Sequence, residues 1–232
     1  MNIKRAILVM AAALGFFVFA GCNNMQMTEL NIDIEENRQD ELLFSFSIND
    51  FISRYNYCYY ADKGMDYLND VSDWQIAVHD SAPHSPYKTN YYYFKEDYTT
   101  WTLPAITVYT PYDNEKVLEI CVSFDDHSYS EDMYDLYEEM CYYTLRSVFG
   151  SMSEHKITEL YETLNKSAYN NIFPHEKGYG NGAFPHELYY KDNIGVYPYF
   201  AVGQSVRLCI IPVNQRTIDV FKANGVKIHE IF

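Results

Sequence analysis

Apolar side chains recur every three or four residues in three stretches of this chain, which is the spacing of one face of an α-helix. The first stretch begins after Ser47, which can cap a helix together with Asp50, and it is broken at Gly64. A longer stretch covers residues 130–149, and another begins directly after 151–153. The pattern therefore predicts an N-terminal helix and a central helical pair.

Strands are predicted where aromatic and β-branched residues cluster or alternate with polar ones. These runs are residues 74–79, 91–95, 100–109, 116–124, 187–191, 195–202, 205–213 and 226–232. Turn residues at 111–115 and 203–204 predict two hairpins, and Asn214 can cap a short helix before the last strand. Hairpins interrupted by clustered helices predict an α+β fold with a mostly antiparallel sheet and a short C-terminal helix–strand unit.

The first 22 residues have the order of a secretory signal, with a basic start and an apolar run over residues 6–19. The run ends in Phe19-Ala20-Gly21-Cys22, which resembles the lipobox of bacterial lipoproteins. Phe19 stands where that pattern usually has Leu or another aliphatic residue. The resemblance covers only these 22 residues, and the rest of the chain resembles no family that we recognise.

The lipobox resemblance implies that the leader is cut before Cys22 and that the thiol of Cys22 takes a diacylglyceryl group. An uncleaved membrane anchor is a weaker alternative, because the apolar run of about 14 residues is shorter than the roughly 20 that span a bilayer. An ordinary secretory signal is the other alternative, but it does not require a cysteine at the cleavage site. We therefore expect a protein held at the extracytoplasmic face of the cell membrane by the lipid on Cys22.

Composition divides the chain into three parts. Residues 1–21 are the predicted signal peptide, and the polar, acidic residues 22–41 are predicted to form a flexible tether. Residues 42–232 are long enough for a single α+β extracytoplasmic domain, and their many aromatic residues indicate a folded protein.

The charge of the predicted mature chain excludes one class of partner. The whole chain has 17 Lys and Arg against 32 Asp and Glu, and the leader holds two of the basic residues, so the mature chain has 15 against 32 and a net charge of −17. Phosphates and anionic lipid headgroups are repelled by such a surface. We therefore expect no nucleic-acid partner, and a domain that stands away from the membrane.

Four cysteines remain once Cys22 is assigned to lipid, namely Cys58, Cys121, Cys141 and Cys209. In an exported protein they allow two disulfides in three connectivities, between which the sequence does not choose. Free, buried thiols are the equally weighted alternative. Cys121 is predicted to lie on the less apolar face of its strand or under a helix.

The tetrapeptide Phe-Pro-His-Glu occurs twice, 11 residues apart, in the glycine-rich loop 173–187. His175, Glu176, His186 and Glu187 are therefore weak candidate ligands for a zinc ion if the loop folds back on itself. The spacing does not impose any ligand geometry, and a solvent-exposed loop accounts for it more simply. The sequence therefore assigns no metal ion, cofactor or catalytic residue.

Asp125-Asp126-His127 lies between a predicted strand and the next helix, where it can serve as a cation or general-base cluster. Acidic residues before a helix more often stabilise its N-terminus, and that interpretation is preferred. The chain has no nucleophile elbow, Walker loop or dinucleotide-binding motif.

Tyrosine is the remaining signal, with 24 in the chain and runs such as residues 91–93. A run of three places rings on both faces of a strand, so some should face outward and form contacts. The alternative is a core rich in tyrosines that pair across strands. Together with Trp74 and Trp101, exposed tyrosines could form a platform for sugar rings.

These patterns predict a membrane-anchored extracytoplasmic lipoprotein that acts as a binding or interaction module with an acidic, tyrosine-rich surface, and not as an enzyme. An envelope protein or a glycan is the expected partner. The alternative is a small metal-dependent or hydrolytic envelope enzyme that uses the loop between His175 and His186.

Overall fold

A sheet of eight strands organises the chain in the computed structural model, which describes residues 30–80, 87–97, 103–124, 131–170, 185–201 and 205–231. The strands are β1 (Ile34–Glu36), β2 (Leu42–Phe44), β3 (Gln75–His79), β4 (Thr89–Phe94), β5 (Ala105–Pro111), β6 (Glu119–Phe124), β7 (Glu187–Lys191), β8 (Ile194–Ala201), β9 (Ser205–Pro212) and β10 (Lys227–Glu230). The helices are α1 (Ile48–Lys63), α2 (Glu131–Val148), α3 (Glu154–Asn170) and α4 (Gln215–Ala223), with a short 3-10 turn at Val71–Asp73.

The large sheet has the strand order β10-β7-β8-β9-β6-β5-β4-β3. Every neighbouring pair is antiparallel except β10 and β7, which run parallel. The predicted α+β fold with a mostly antiparallel sheet is confirmed, as are the hairpins β5–β6 and β8–β9. Strands β3 to β6 and strands β7 to β10 form two sequence-contiguous halves, and they meet at the pairing of β6 with β9.

The small sheet of β1 and β2 differs from the expectation that residues 22–41 form a tether. Strand β1 pairs with β2 in an antiparallel hairpin, so the ordered domain includes residues that precede Leu42. Backbone hydrogen bonds also join Phe44 and Phe46 to Val117, in the connection between β5 and β6. The acidic composition of this segment concealed the alternation of Ile32 and Ile34, which pack against the core.

Helix α1 begins and ends where its capping residues predict. The Ser47 hydroxyl accepts a hydrogen bond from the backbone N–H of Asp50 at 3.2 Å, and the Asp50 carboxylate accepts one from the N–H of Ser47 at 2.8 Å. This reciprocal capping box satisfies two donors that the helix cannot pair internally. Gly64 ends the helix with φ of 73°, a left-handed conformation that a residue without Cβ adopts at low cost.

The strands place their side chains alternately in two apolar layers. Helices α1, α2 and α3 cover one face of the sheet, where they bury residues that include Ile106, Val108, Ile120, Val122, Leu208 and Ile210. Helix α4 packs Ile218 and Phe221 on the opposite face, against Leu188, Ile211 and Val213. None of the helices in the described ranges is long and apolar enough to cross a bilayer.

Many tyrosines lie inside the helical layer. The rings of Tyr55, Tyr59, Tyr67 and Tyr143 pack with centroids 4.8 to 6.3 Å apart. Burial and a hydrogen bond to Glu139 raise the pKa of Tyr59 to about 12, and the Tyr143 hydroxyl donates to Asp62 at 3.0 Å. Tyrosine rings therefore fill the core, and some of their hydroxyls bind polar groups at its edge. This is the tyrosine-rich core that the sequence left open as an alternative to a surface of exposed rings.

Ile120 and Ile76 provide a matched test of this layering. Ile120 is fully buried at the centre of the sheet, whereas Ile76 is 57% exposed on β3. We expect Ile120→Ala to lower the free energy of unfolding by about 2–5 kcal/mol, because a cavity remains. Ile76→Ala should change it by less than about 0.5 kcal/mol. Urea denaturation measures both changes in the free energy of unfolding. Equal losses for the two variants would contradict the burial of Ile120 and the exposure of Ile76.

Candidate functional site

The predicted metal ligands are only partly within the described ranges. His175 and Glu176 lie outside them, as do Asp125-Asp126-His127. His186 is exposed just before β7, and its backbone carbonyl accepts a hydrogen bond from the N–H of Lys227 at 3.0 Å. The structure therefore brings His186 and Glu187 to the parallel pairing of β7 with β10.

The carboxylate of Glu187 is the centre of a polar group that the sequence did not predict. Its Oε2 accepts hydrogen bonds from the hydroxyls of Ser167 and Tyr189. Its Oε1 lies 3.5 Å from Lys227 Nζ and 3.8 Å from His229 Nε2. The carboxylate thus already accepts hydrogen bonds from two hydroxyls and lies near the side-chain nitrogens of Lys227 and His229, which a metal ion would have to displace or join.

Several influences on Glu187 compete. Burial opposes its charged form, yet the hydrogen bonds from Ser167 and Tyr189 favour that form. The charges of His229 and Lys227 act in the same direction as the hydroxyls, and the pKa of Glu187 lies below its ordinary value. The arrangement stabilises an ionised carboxylate at the sheet edge.

A second group of reactive side chains lies on the face of the sheet opposite the three-helix layer. Alternation along β6 places Glu119 and Cys121 on this face, and the register pairs Cys121 directly with Cys209 on β9. Tyr197 on β8 is the next partner of Cys209 in the same row. We name Glu119, Cys121, Cys209 and Tyr197 the cysteine cluster.

The cysteine cluster is buried and closely spaced. Glu119, Cys121 and Cys209 are 2%, 4% and 2% exposed, and one ligand atom from each lies within 4.8 Å of the others. The two Sγ atoms are 3.0 Å apart, and the Tyr197 hydroxyl donates to Glu119 Oε1 at 3.1 Å. Oε2 of Glu119 is buried and has no hydrogen-bond partner within the described residues.

Burial governs the electrostatics of the cysteine cluster. It raises the pKa of the Cys209 thiol well above its ordinary value, and the neighbouring Cys121 and Glu119 act in the same direction. Arg207 opposes them with a smaller effect. Two thiols and a carboxylate in such a place can bind a soft metal ion or lose two electrons to form a disulfide.

The sequence predicted Cys121 on the less apolar face of its strand or under a helix, and the structure places it opposite the three-helix layer, in the apolar cluster that includes Ile218 and Phe221 of α4. The sequence did not pair Cys121 with Cys209, because the two are 88 residues apart and no local spacing connects them. The alternation of apolar and polar residues along each strand indicated which face each cysteine occupies. The sequence did not indicate that β6 and β9 are neighbours in the sheet.

The exposed edge of the sheet is the third candidate. All five residues of β3 are exposed, and in the described part of the chain β3 pairs only with β4. Ile76 and Val78, which are 57% and 48% exposed, point to the same face of the sheet. We call the outer side of β3 the β3 edge.

The aromatic residues expected at the surface are mostly not there. Trp74 is buried against Phe94, with ring centroids 5.3 Å apart, so it cannot join a surface platform for sugars; Trp101 lies outside the described residues. The run 91–93 is half-buried, and Tyr197 and Tyr199 are buried. Among the described tyrosines, the most exposed are Tyr60, Tyr87 and Tyr112.

Glu187 generates a pH-dependent prediction. Because its folded-state pKa is depressed, the stability that it contributes is present above the ordinary carboxyl pKa and is lost as pH falls through the folded-state value. We expect Glu187→Gln to cost about 1 kcal/mol at neutral pH, and the cost to shrink in acid. Urea denaturation at neutral pH and in acid measures this loss in the free energy of unfolding. Glu162→Gln, at an exposed position on α3, is the control, and a cost independent of pH would contradict the prediction.

The three candidates are distinct in place and in chemistry. The polar group around Glu187 lies at the β7–β10 end of the sheet, the cysteine cluster at its centre and the β3 edge at its other end. Comparison of the chain with protein-family models, with curated proteins and with solved structures finds no match.

Proposed function

We propose that this chain is a lipid-anchored extracytoplasmic binding protein that takes up an extended segment of a partner polypeptide along the β3 edge. The observation that carries the proposal is a fully exposed edge strand with two adjacent apolar side chains, Ile76 and Val78. An edge of this kind offers main-chain hydrogen-bonding groups and apolar contacts, which bind a partner and do not catalyse a reaction.

Edge strands are usually protected against pairing with other chains. Common devices are charged residues, prolines, bulges and very short strands. The β3 sequence Gln-Ile-Ala-Val-His contains no Lys, Asp, Glu or Pro. By contrast, β10 at the opposite edge carries Lys227 and Glu230, both exposed. Of the two edge strands described for the large sheet, β3 is therefore the one whose sequence lacks these charged residues, which supports a binding role.

Charge favours a basic partner. Exposed Asp70 and Asp73 precede β3, exposed Asp80 follows it, and exposed Glu96 lies beyond the end of β4. The mature chain has a net charge of −17 if the leader is removed. A partner segment that pairs with β3 and carries Lys or Arg at its ends would meet opposite charges at both ends of the strand.

The same acids disfavour a second copy of this chain as the occupant. Antiparallel pairing of β3 with itself would bring Asp73 of one copy close to Asp80 of the other. Like charges opposite each other on adjacent strands are destabilising. A glycan is also less suited, because it cannot continue the main-chain ladder.

Anchoring by lipid is consistent with this arrangement. Acyl chains on Cys22 would contribute roughly 0.8 kcal/mol per buried methylene, enough for stable attachment with more than one chain. The seven residues between Cys22 and Leu30 can span at most about 23–25 Å when extended, because Leu30 and Ile32 already pack against the core. An acidic domain repelled by anionic headgroups could then present the β3 edge away from the bilayer.

Lipid attachment predicts the behaviour of Cys22→Ala. We expect the wild-type chain to incorporate labelled fatty acid and to enter the detergent phase of a cell-envelope extract, and the variant to do neither, because its sulfur is absent. Asn23→Ala is the adjacent control and should behave like the wild type. An unlabelled wild-type chain, found intact in the cytoplasm, would contradict the proposed anchor and location.

The β3 edge predicts the behaviour of Val78→Lys. The acylated mature chain, purified in detergent, is used to select from a library of random peptides. We expect selected peptides to be rich in β-branched or aromatic residues and to carry Lys or Arg. Val78→Lys should weaken their binding by at least about tenfold, because a cation then lies on the edge and repels basic ends.

Val220→Lys is the matched control, because Val220 is 47% exposed on α4 and its substitution changes the net charge equally. It should leave peptide affinity within about twofold of the wild type. Peptides that bind both lysine variants as tightly as the wild type would contradict docking at β3. A dimer that Val78→Lys dissociates would instead identify a second copy as the occupant.

A further inference from the structure

We propose that Cys121 and Cys209 form a cross-strand disulfide that ties β6 to β9 at the centre of the eight-stranded sheet. The inference rests on the proposed extracytoplasmic location, because disulfides form and persist in oxidising compartments. Both residues are free thiols in the structure, which shows the arrangement from which the bond would form.

The register of the sheet brings the two thiols face to face. Cys121 and Cys209 are direct partners in the antiparallel ladder, and their Sγ atoms are 3.0 Å apart. A disulfide bond is about 1 Å shorter than this separation. Facing residues on antiparallel strands have Cβ atoms about 4.5–5.5 Å apart, and disulfides accept about 3.5–4.5 Å, so a small approach of the two strands suffices.

The proposed step is a thiol–disulfide exchange. The two S–H bonds of Cys121 and Cys209 are broken, one S–S bond forms between them, and the two electrons and two protons pass to a protein or small-molecule disulfide. That oxidant is reduced to two thiols, so the exchange balances. No further reactant is required.

Burial indicates when this exchange takes place. The attacking species is a thiolate, and burial disfavours the thiolate of Cys209 inside the folded domain. Both residues are also shielded from an external oxidant, at 4% and 2% exposure. The bond should therefore form while the ladder between β6 and β9 is still assembling, and it should resist reduction afterwards.

The position of the bond gives it a structural consequence. Within the described residues, the β6–β9 ladder is the only strand pairing between the strands β3 to β6 and the strands β7 to β10. The bond would link residues 88 apart in sequence across this junction. A cross-link that closes a loop of this length restricts the unfolded chain strongly, and it would keep the two halves of the sheet from separating.

A soft metal ion is the competing occupant of the cysteine cluster. The ligand atoms of Glu119, Cys121 and Cys209 are close enough for one ion. Two thiolates on a tetrahedral zinc ion, each about 2.3 Å from the metal, lie about 3.7 Å apart. The Sγ separation of 3.0 Å lies between that value and the length of a disulfide, so the distance alone does not separate the two occupants. The ligand set does, because the cluster offers three ligand atoms whereas a closed zinc site uses four, and this favours a direct bond between the sulfurs.

The test begins with the full-length chain isolated from the envelope of its own host, denatured and alkylated before and after reduction. We expect Cys58 and Cys141 to react without reductant, and Cys121 and Cys209 to react only after it. Peptide mapping by mass spectrometry should recover one linked pair. Cys58 and Cys141, which are also buried, serve as the internal control.

Four thiols that all react without reductant, in a chain that is acylated and in the envelope, would overturn the disulfide and leave the proposed anchor intact. Stoichiometric zinc or copper in the same sample would identify the metal ion as the occupant and likewise overturn it. A link between other cysteines would contradict the observed register.

A second experiment does not depend on where the protein resides. Cys22→Ala, unfolded and reduced, is refolded with oxidised glutathione. We expect the pair Cys121–Cys209 to predominate, and reduction to lower the melting temperature by roughly 10 °C. The double variant Cys121→Ala/Cys209→Ala should show no shift on reduction. Random pairing after refolding would refute the geometric basis of the proposal, even for a chain that proves to be cytoplasmic.

Discussion

The pairing of β6 with β9 is the contact on which the rest of this fold depends. It joins two halves that are each contiguous in sequence, from Ile120 opposite Ile210 to Phe124 opposite Val206. Helices α2 and α3 connect those halves and contact β6 and β8 on the same face of the sheet. Loss of this ladder would create two new unpaired edges and uncover the apolar layer beneath the helices, so the halves are stable only together.

The same ladder also determines what the opposite face contains. Because strand side chains alternate, the register that buries Ile120 and Val122 under the helices necessarily turns Glu119 and Cys121 the other way. A shift of one residue would place a carboxylate under α2 and an isoleucine beside Cys209. The core and the cysteine cluster are therefore specified by one register, and neither can change without the other.

The two edges of the large sheet differ in cover and in charge, and this difference supports the proposed binding role of the β3 edge. The β10 end is covered by α4 on one face and carries the charged group around Glu187. The β3 end has exposed apolar side chains, and exposed acids precede and follow the strand. Many of the tyrosines are buried in the helical layer and beneath it, so the proposed binding surface is aliphatic and acidic more than aromatic.

Local patterns in the sequence determined most helices and strands of this protein, with β1 as an exception. The Ser47 capping box, the break at Gly150 between the two central helices and the hairpin of β5 with β6 follow from interactions within a few residues, and all are present. Tertiary structure alone decided that β6 meets β9, that Cys121 faces Cys209 and that Trp74 is buried. Hydrophobic alternation states which face of a strand is apolar, but it does not state which strand lies beside it. That choice depends on packing between segments far apart in the chain, so the cysteine cluster and the free edge emerged only with the assembled sheet.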